Sequence, residues 1–258
     1  LGGTDTVVRP MDVYEMEGEA AKSKSGSSRQ TPDKKSAQSP GKKKARGQVV
    51  RSAAKDIEEL TFKPIFGSML TVWHRPKTQH IFHLKESGVT MLITCQADRE
   101  HAQAVGKECK RLGLKWVHVP LGGANLNRLK NREDMAKVIT GLDQAYHLLK
   151  DGKEKALLHC AAGIHRTGIC TYTLLRCSGE AKTRGEAMEC IKAIRLHTHD
   201  GVRDWRINLA EEILIPLLSE KLSIDAPKQE LVEIKDRKIL AKLKSLERRG
   251  RAMPPSRK

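Results

Sequence analysis

The stretch Lys155-Ala156-Leu157-Leu158-His159-Cys160-Ala161-Ala162-Gly163-Ile164-His165-Arg166-Thr167-Gly168 decides both the fold and the chemistry of this chain. It opens with a short apolar run, Lys155 to His159, that reads as a buried strand. The continuation from Thr167 to Cys177 is apolar, contains no proline and suits a buried helix. The junction is therefore strand, loop, helix, and the free N–H groups and positive dipole of a helix start favour an anion there. Gly163 lets the loop turn its amides inward, as an anion-binding nest requires.

The residue types match that geometry. Cys160 lies six positions before Arg166, so one loop can put a sulfur below a phosphate and a guanidinium across it. A thiol ordinarily titrates near ~8.5, and a helix N-terminus beside an arginine favours the thiolate. Arg166 offers a planar fork to two phosphoryl oxygens, where a lysine offers only a point charge. Thr167 is placed to donate its hydroxyl to the sulfur, and His159 to help position the thiolate. The ordinary alternative for a lone cysteine is a buried structural role, but Gly, Arg, Thr and Gly at fixed offsets argue against it. A zinc site on His159, Cys160 and His165 lacks a second ligand pair, because the chain contains no CxxC. The sequence His197-Thr198-His199 reads as part of a solvated turn.

These residues resemble the signature HCxxGxxR[ST]G of the cysteine-based protein tyrosine phosphatase superfamily, and most closely its compact dual-specificity-like members. The resemblance covers roughly Leu60 to Leu218. It implies an α/β fold with a mostly parallel central sheet flanked by helices on both faces. It also implies Cys160 as nucleophile, Arg166 as phosphate clamp, and the amides of Ala161, Ala162, Gly163, Ile164, His165 and Arg166 as phosphoryl cradle. Thr167 becomes the residue that assists breakdown of a phosphocysteine, and no metal or organic cofactor is expected. The implied substrate is a phosphorylated protein, with phosphotyrosine first and phosphoserine or phosphothreonine as further targets.

The order of elements fits. Ile65 to Thr71 is expected to open the domain as a strand. Thr78 to Ser87 reads as a helix ended by Gly88 and followed by the strand Val89 to Thr94. Arg99 to Leu112 is a second helix ended by Gly113, and Leu114 to Pro120 another strand. Arg132 to Lys150 has helical periodicity, with Met135, Val138, Ile139, Leu142, Tyr146 and Leu149 on one face. Helices are expected again near Arg184 to Leu196 and Asp204 to Leu218. Alternating strands and helices favour a mostly parallel, doubly covered sheet.

One departure from the family pattern matters. Relatives carry an aspartate three residues beyond a proline, after the strand preceding the long helix, and it protonates the leaving oxygen. Here the run is Val119-Pro120-Leu121-Gly122-Gly123, and the matching position is Gly123. General acid catalysis is worth typically ~10²–10⁴-fold. A seryl alkoxide needs that proton badly, a tyrosyl phenolate with conjugate acid near ~10 less, and a polyphosphate with a second pKa near ~6 hardly at all. Asp98, Asp134 and Asp200 are the candidate substitutes, although each reads more readily as a solvated cap or turn residue. Two alternatives follow: an RNA 5′-triphosphatase, or a phosphate-binding adaptor with impaired chemistry.

Composition divides the chain in three. Residues 1–57 are poor in large apolar residues and read as a disordered basic region, residues 58–219 carry the domain, and residues 220–258 read as a basic C-terminal helix and tail. The helix is expected over Gln229 to Arg249. The formal charge of +17 is spread over all three parts, which favours phosphorylated substrates and contact of the tails with RNA or an acidic surface. The cluster Lys42-Lys43-Lys44-Ala45-Arg46 reads as a candidate nuclear address. Six scattered cysteines without disulfide-like spacing point to a reducing, cytoplasmic or nuclear setting. No apolar run approaches the ~20 residues of a membrane span. The oligomeric state is not legible.

Overall fold

The computed structural model describes Ile57 and residues 59–251. The basic N-terminal region, including Lys42 to Arg46, and the last seven residues lie outside the described residues.

Five strands form one sheet in the order β1-β2-β5-β3-β4, with β1 Lys63–Ile65, β2 Ser68–His74, β3 Met91–Thr94, β4 Lys115–His118 and β5 Lys155–Cys160. Pairs β2–β5, β5–β3 and β3–β4 are parallel, and only β1–β2 is antiparallel. The expected strand Ile65–Thr71 is in fact a hairpin. Its two turn residues, Phe66 and Gly67, have φ of 51° and 84°, the primed turn that suits a right-twisted two-residue connection.

Period-two alternation assigns the strand side chains to two faces. Trp73, Leu92 and Leu157 point to one face, where helices α1 (Thr78–Glu86) and α2 (Ala102–Leu112) bury Ile81, Leu84, Val105 and Cys109. Val72, Ile93, Ala156 and Leu158 point to the other. That face carries α3 (Leu126–Leu129), α4 (Arg132–Lys150), α5 (His165–Ser178), α6 (Arg184–Ile194), α7 (Leu196–Val202), α8 (Asp204–Leu209) and α9 (Ile215–Leu222). The fold is α/β, mostly parallel and covered on both faces, as the sequence predicted.

Helix α4 has the boundaries read from its periodicity, because Asn131 caps it by accepting from the Asp134 N–H at 2.9 Å. Elsewhere boundaries moved. Residues 98–112 divide into a 3₁₀ turn, Asp98–Glu100, and α2, with His101 between them at φ 60°. The C-terminal helix, α10, begins at Arg237 rather than Gln229 and runs to Arg251. Residues 223–236 are irregular but tied to the core: Arg176 donates to the Lys228 carbonyl at 2.7 Å and Arg184 to the Glu230 carbonyl at 3.0 Å. Among the described residues no helix is long and apolar enough to cross a membrane.

Candidate active site

Strand β5 is the central strand and Cys160 is its last residue, in register with His74 of β2; His159 faces Thr94 of β3. The following loop thus opens in the crevice beyond the C-terminal ends of three parallel strands, where open α/β sheets bind ligands.

The loop is shaped from behind. Gly163 has φ +67°, and a Cβ there would collide with the Trp73 carbonyl, so conformation and space both demand glycine. The Gly163 carbonyl accepts from Thr198 Oγ1 at 2.7 Å and Arg195 Nη1 at 2.8 Å. Ala161 O accepts from the Arg75 N–H at 3.2 Å, and Ile164 O from the Gly168 N–H at 2.7 Å. With these carbonyls committed elsewhere, the loop amides are left for its inner side. Helix α7 packs directly on this loop, since a Cβ on Gly201 would collide with Ile164 Cγ2. The segment His197-Thr198-His199 is therefore not a solvated turn. It is part of α7, and its buried Thr198 buttresses the loop.

Cys160 is 3% exposed and forms the floor, while Ala161, Ala162 and His165 at the rim are open to solvent. Burial raises its thiol pKa, but the Thr167 hydroxyl, the Thr167 and Ile164 amides and the Arg166 charge outweigh that, so the net displacement is downward. His159 is fully buried, and burial pushes its pKa down to about 3, so the imidazole is neutral. Its Nε2 lies 3.0 Å from Thr94 Oγ1, which in turn accepts from Trp116 Nε1 at 2.9 Å. His159 therefore supports the loop by position and not by charge.

Arg166 meets a residue the sequence reading missed. Its Nη1 and Nη2 form an end-on fork with Glu100, Nη2 donating to Oε1 at 2.8 Å, and Nη1 also donates to the Leu121 carbonyl at 3.1 Å. Of five guanidinium N–H groups, these contacts leave Nε–H and one Nη2–H. Those two are parallel, the fork that suits two phosphoryl oxygens. Glu100 is fixed in turn: its Oε2 accepts from the Ala97 N–H at 3.0 Å, and Arg75 donates to its carbonyl and, through Nε, to Gln96 Oε1 at 2.8 Å. The available signal was its place just after β3, at the ligand-binding edge of the sheet.

The proposed substitute acids are engaged elsewhere. Asp98 accepts from Gln103 Nε2 at 3.1 Å and faces His118 Nδ1 at 3.8 Å. Asp134 pairs with Arg128 at 3.5 Å and Asp200 with its neighbour His199 at 2.8 Å. Asp98 and Asp134 border a cavity of about 230 Å³ together with Gly122. Gly123 lies beside the side chains of Asn125 and Arg128.

No protein-family profile matches the chain, and no curated protein matches it. Solved structures do. The chain is similar to PTPMT1 at 16% identity, covering 63% of this chain and 99% of that one, with a TM-score of 0.46. It is similar to kinase associated phosphatase bearing a serine in place of its catalytic cysteine, at 13% identity over 58% and 96% with a TM-score of 0.43. A third is the core catalytic domain of the PP-IP phosphatase SIW14 from S. cerevisiae, at 16% identity over 63% and 92% with a TM-score of 0.42.

Proposed function

We propose that this protein is a phosphomonoester hydrolase that works through a phosphocysteine, with phosphotyrosine in proteins as its substrate. The Cys160 thiolate attacks phosphorus in line, forming an S–P bond as the P–O ester bond breaks and the phenolate leaves. Arg166 and the loop amides hold the three equatorial oxygens. Water then attacks phosphorus: its hydroxyl joins the phosphoryl group, the S–P bond breaks, and one proton is released. Thr167 holds the departing sulfur through its hydroxyl.

The observation that carries this reading is the Arg166 fork, oriented by Glu100 and left with one parallel donor pair beside a thiol whose pKa is depressed. The test compares release of phosphate from phosphotyrosine and phosphoserine peptides by wild-type and Cys160→Ser protein. Turnover confined to the phosphotyrosine peptide, and lost in Cys160→Ser, is expected. Undiminished turnover by Cys160→Ser would overturn the mechanism.

A second reading is favoured by the engagement of Asp98, Asp134 and Asp200 with other side chains. A site without a proton donor suits a leaving group that needs none, and the terminal phosphoanhydride of 5′-triphosphorylated RNA is one. Faster γ-phosphate release from such RNA than from phosphotyrosine peptides would favour it over the first.

A further inference from the structure

Residues 228–251 divide into a fixed strap and a loosely seated helix. The strap is tied down through Val232. Arg176 donates to the Lys228 carbonyl at 2.7 Å, Gln229 donates to the Glu211 carbonyl at 3.0 Å, and Val232 exchanges two hydrogen bonds with Asn208 at 2.7 and 3.1 Å. Glu233, Lys235 and Asp236 are exposed, and α10 follows. Asp236 caps the helix, its carboxylate accepting from the Lys238 and Ile239 N–H groups at 2.8 and 3.2 Å. Ile239 and Leu243 pack against the core, yet they and Leu240 are only half-buried. Ile239 and Leu243 share a cavity of about 480 Å³ with Ile164 of the loop after Cys160, so this contact is not close-packed.

Seven of the fifteen residues of α10 are Lys or Arg, and one, Glu247, is acidic. Arg237, Lys238, Lys242, Lys244 and Arg248 are exposed, and among the described residues none has a carboxylate within ion-pair distance. With 3.6 residues per turn, Arg237, Lys244 and Arg248 fall opposite Ile239. The helix thus carries an apolar stripe on one side and uncompensated positive charge on the other. A helix of that kind lies in a membrane interface, its cations at anionic headgroups and its stripe among the upper acyl chains. Leu231 and Val232, 52% and 42% exposed, add apolar surface just ahead of it in the chain. Single-stranded nucleic acid is the poorer match, because it asks for aromatic platforms. Helix α10 has none, and the Trp205 ring at the cavity is already covered by Arg206 at 4.1 Å.

We propose that α10 is a bilayer-docking arm. On an anionic membrane it leaves its seat on the domain, pivots at residues 233–236 and lays Ile239, Leu240 and Leu243 into the interface, while the strap stays fixed through Val232. The exchange sacrifices little apolar burial, because the half-buried stripe is covered again by acyl chains. Each cation at the headgroups strengthens binding about fivefold. Because Ile239 and Leu243 wall the cavity beside Ile164, docking also uncovers that flank of the loop after Cys160. Docking of this kind is independent of which phosphate ester the site cleaves.

The experiment floats the full chain with vesicles of phosphatidylcholine alone or mixed with phosphatidylserine, at low and high salt. Binding to the mixed vesicles only, weaker as salt rises, is expected. Lys238→Gln, Lys244→Gln and Arg248→Gln should each weaken it about fivefold, with urea midpoints unchanged because all three positions are exposed. Leu240→Trp reads insertion: mixed vesicles with brominated acyl chains should quench its emission beyond the quenching of the three native tryptophans in wild type. Iodoacetamide should alkylate Cys160 faster on mixed vesicles than on phosphatidylcholine.

No binding to mixed vesicles, equal binding to both kinds, or binding unmoved by the three substitutions would overturn the proposal. So would quenching no greater in Leu240→Trp than in wild type, or Cys160 alkylation unchanged by mixed vesicles. Tighter binding to a single-stranded RNA homopolymer than to mixed vesicles, weakened by the same substitutions, would overturn it too and assign the cations to nucleic acid.

Discussion

Glu100 and Arg166, 66 residues apart in sequence, form a two-point ion pair at the edge of the loop that follows Cys160, with side chains 27% and 13% exposed. The pair decides which guanidinium edge is left without a partner. An unpaired arginine samples several rotamers, whereas this one is held by Glu100 and the Leu121 carbonyl.

Glu100→Gln keeps the shape and loses the charge, so the fork remains partly aligned, whereas Glu100→Ala leaves Arg166 unsupported. We expect kcat to fall about tenfold in the first and about a hundredfold in the second, in line with losing a positioning contact to a transition-state group. Steady-state kinetics on an aryl phosphate checks this. The pH sign also follows. Hydrogen bonding to Arg166 holds the Glu100 pKa below its ordinary value, with burial opposing. Its stabilising contribution is therefore complete above the ordinary glutamate value of ~4.3 and is lost as pH falls through the lowered folded value. Urea midpoints between pH 5 and 3 should fall less steeply in Glu100→Gln than in wild type.

Of the groups that lower the Cys160 thiol pKa against burial, the Thr167 hydroxyl is the largest, ahead of the Thr167 amide, the Arg166 charge and the Ile164 amide. Thr167→Val should move the thiol pKa upward, seen as a shift to higher pH in the rate of iodoacetamide alkylation. It should also slow hydrolysis of the phosphocysteine more than its formation, so that a burst of leaving group appears or grows. An unchanged alkylation profile would remove the hydroxyl from the account. Because His159 stays neutral, neither profile should carry a step near pH 6.5 from that ring.

The loop depends on glycine at 163 and on its buttress at 198. Gly163→Ala introduces a Cβ against the Trp73 carbonyl at a positive φ. It should lower activity at least a hundredfold and stability by about 1–3 kcal/mol. Thr198→Val removes one of two donors to the Gly163 carbonyl and should cost about 1 kcal/mol. Urea denaturation paired with kinetics distinguishes them, since the first variant should lose far more activity than stability.

What could be read from sequence was what local periodicity and turn chemistry encode. Helix α4 was legible to the residue because an apolar stripe and an asparagine cap agree. The strand-loop-helix carrying Cys160 and Arg166 was legible because its chemistry is confined to ten consecutive residues. The hairpin at Phe66-Gly67 was not, because apolar residues flank the turn and only one glycine marks it. Thr198 and Glu100 were missed for a different reason. Each acts on the loop across the tertiary fold, and no spacing along the chain records that an acid after β3 will meet an arginine after β5. The start of α10 was misplaced because Glu230 and Val232 are bound by Arg184 of α6 and Asn208 of α8, not by helical hydrogen bonds.

That same docking rests on a buried ion pair. Arg176 and Glu211 have fully buried side chains, with Nη1 to Oε1 at 2.6 Å, and Tyr172 donates to the same carboxylate oxygen. Glu211 lies in a π-helical turn, Ala210–Leu214, between α8 and α9. Removing one partner leaves a buried charge unmatched, so Glu211→Ala should destabilise the protein by about 3–5 kcal/mol. It should also speed proteolysis within residues 223–236, because Arg176 anchors Lys228 and the Glu211 backbone carbonyl accepts from Gln229. Equilibrium denaturation and limited proteolysis check the two effects separately.

Whether the site lacks an acid can be tested by supplying one at Gly123. Gly123 is not held at a positive φ, and an added Cβ meets Asn125 Nδ2 at 3.4 Å and Arg128 Cγ at 3.5 Å, ordinary contacts that a side chain tolerates. With no donor in place, wild type should show kcat that falls steeply as the leaving-group pKa rises, and a pH–rate profile with an acid limb alone. Gly123→Asp should flatten the leaving-group dependence, raise alkyl phosphate hydrolysis by about tenfold or more, and convert the profile to a bell. Asp98→Asn, Asp134→Asn and Asp200→Asn should each change kcat by less than about threefold, because each carboxylate is already bound to another side chain. A bell in wild type that any one of these three abolishes would identify that aspartate as the donor and sink the argument.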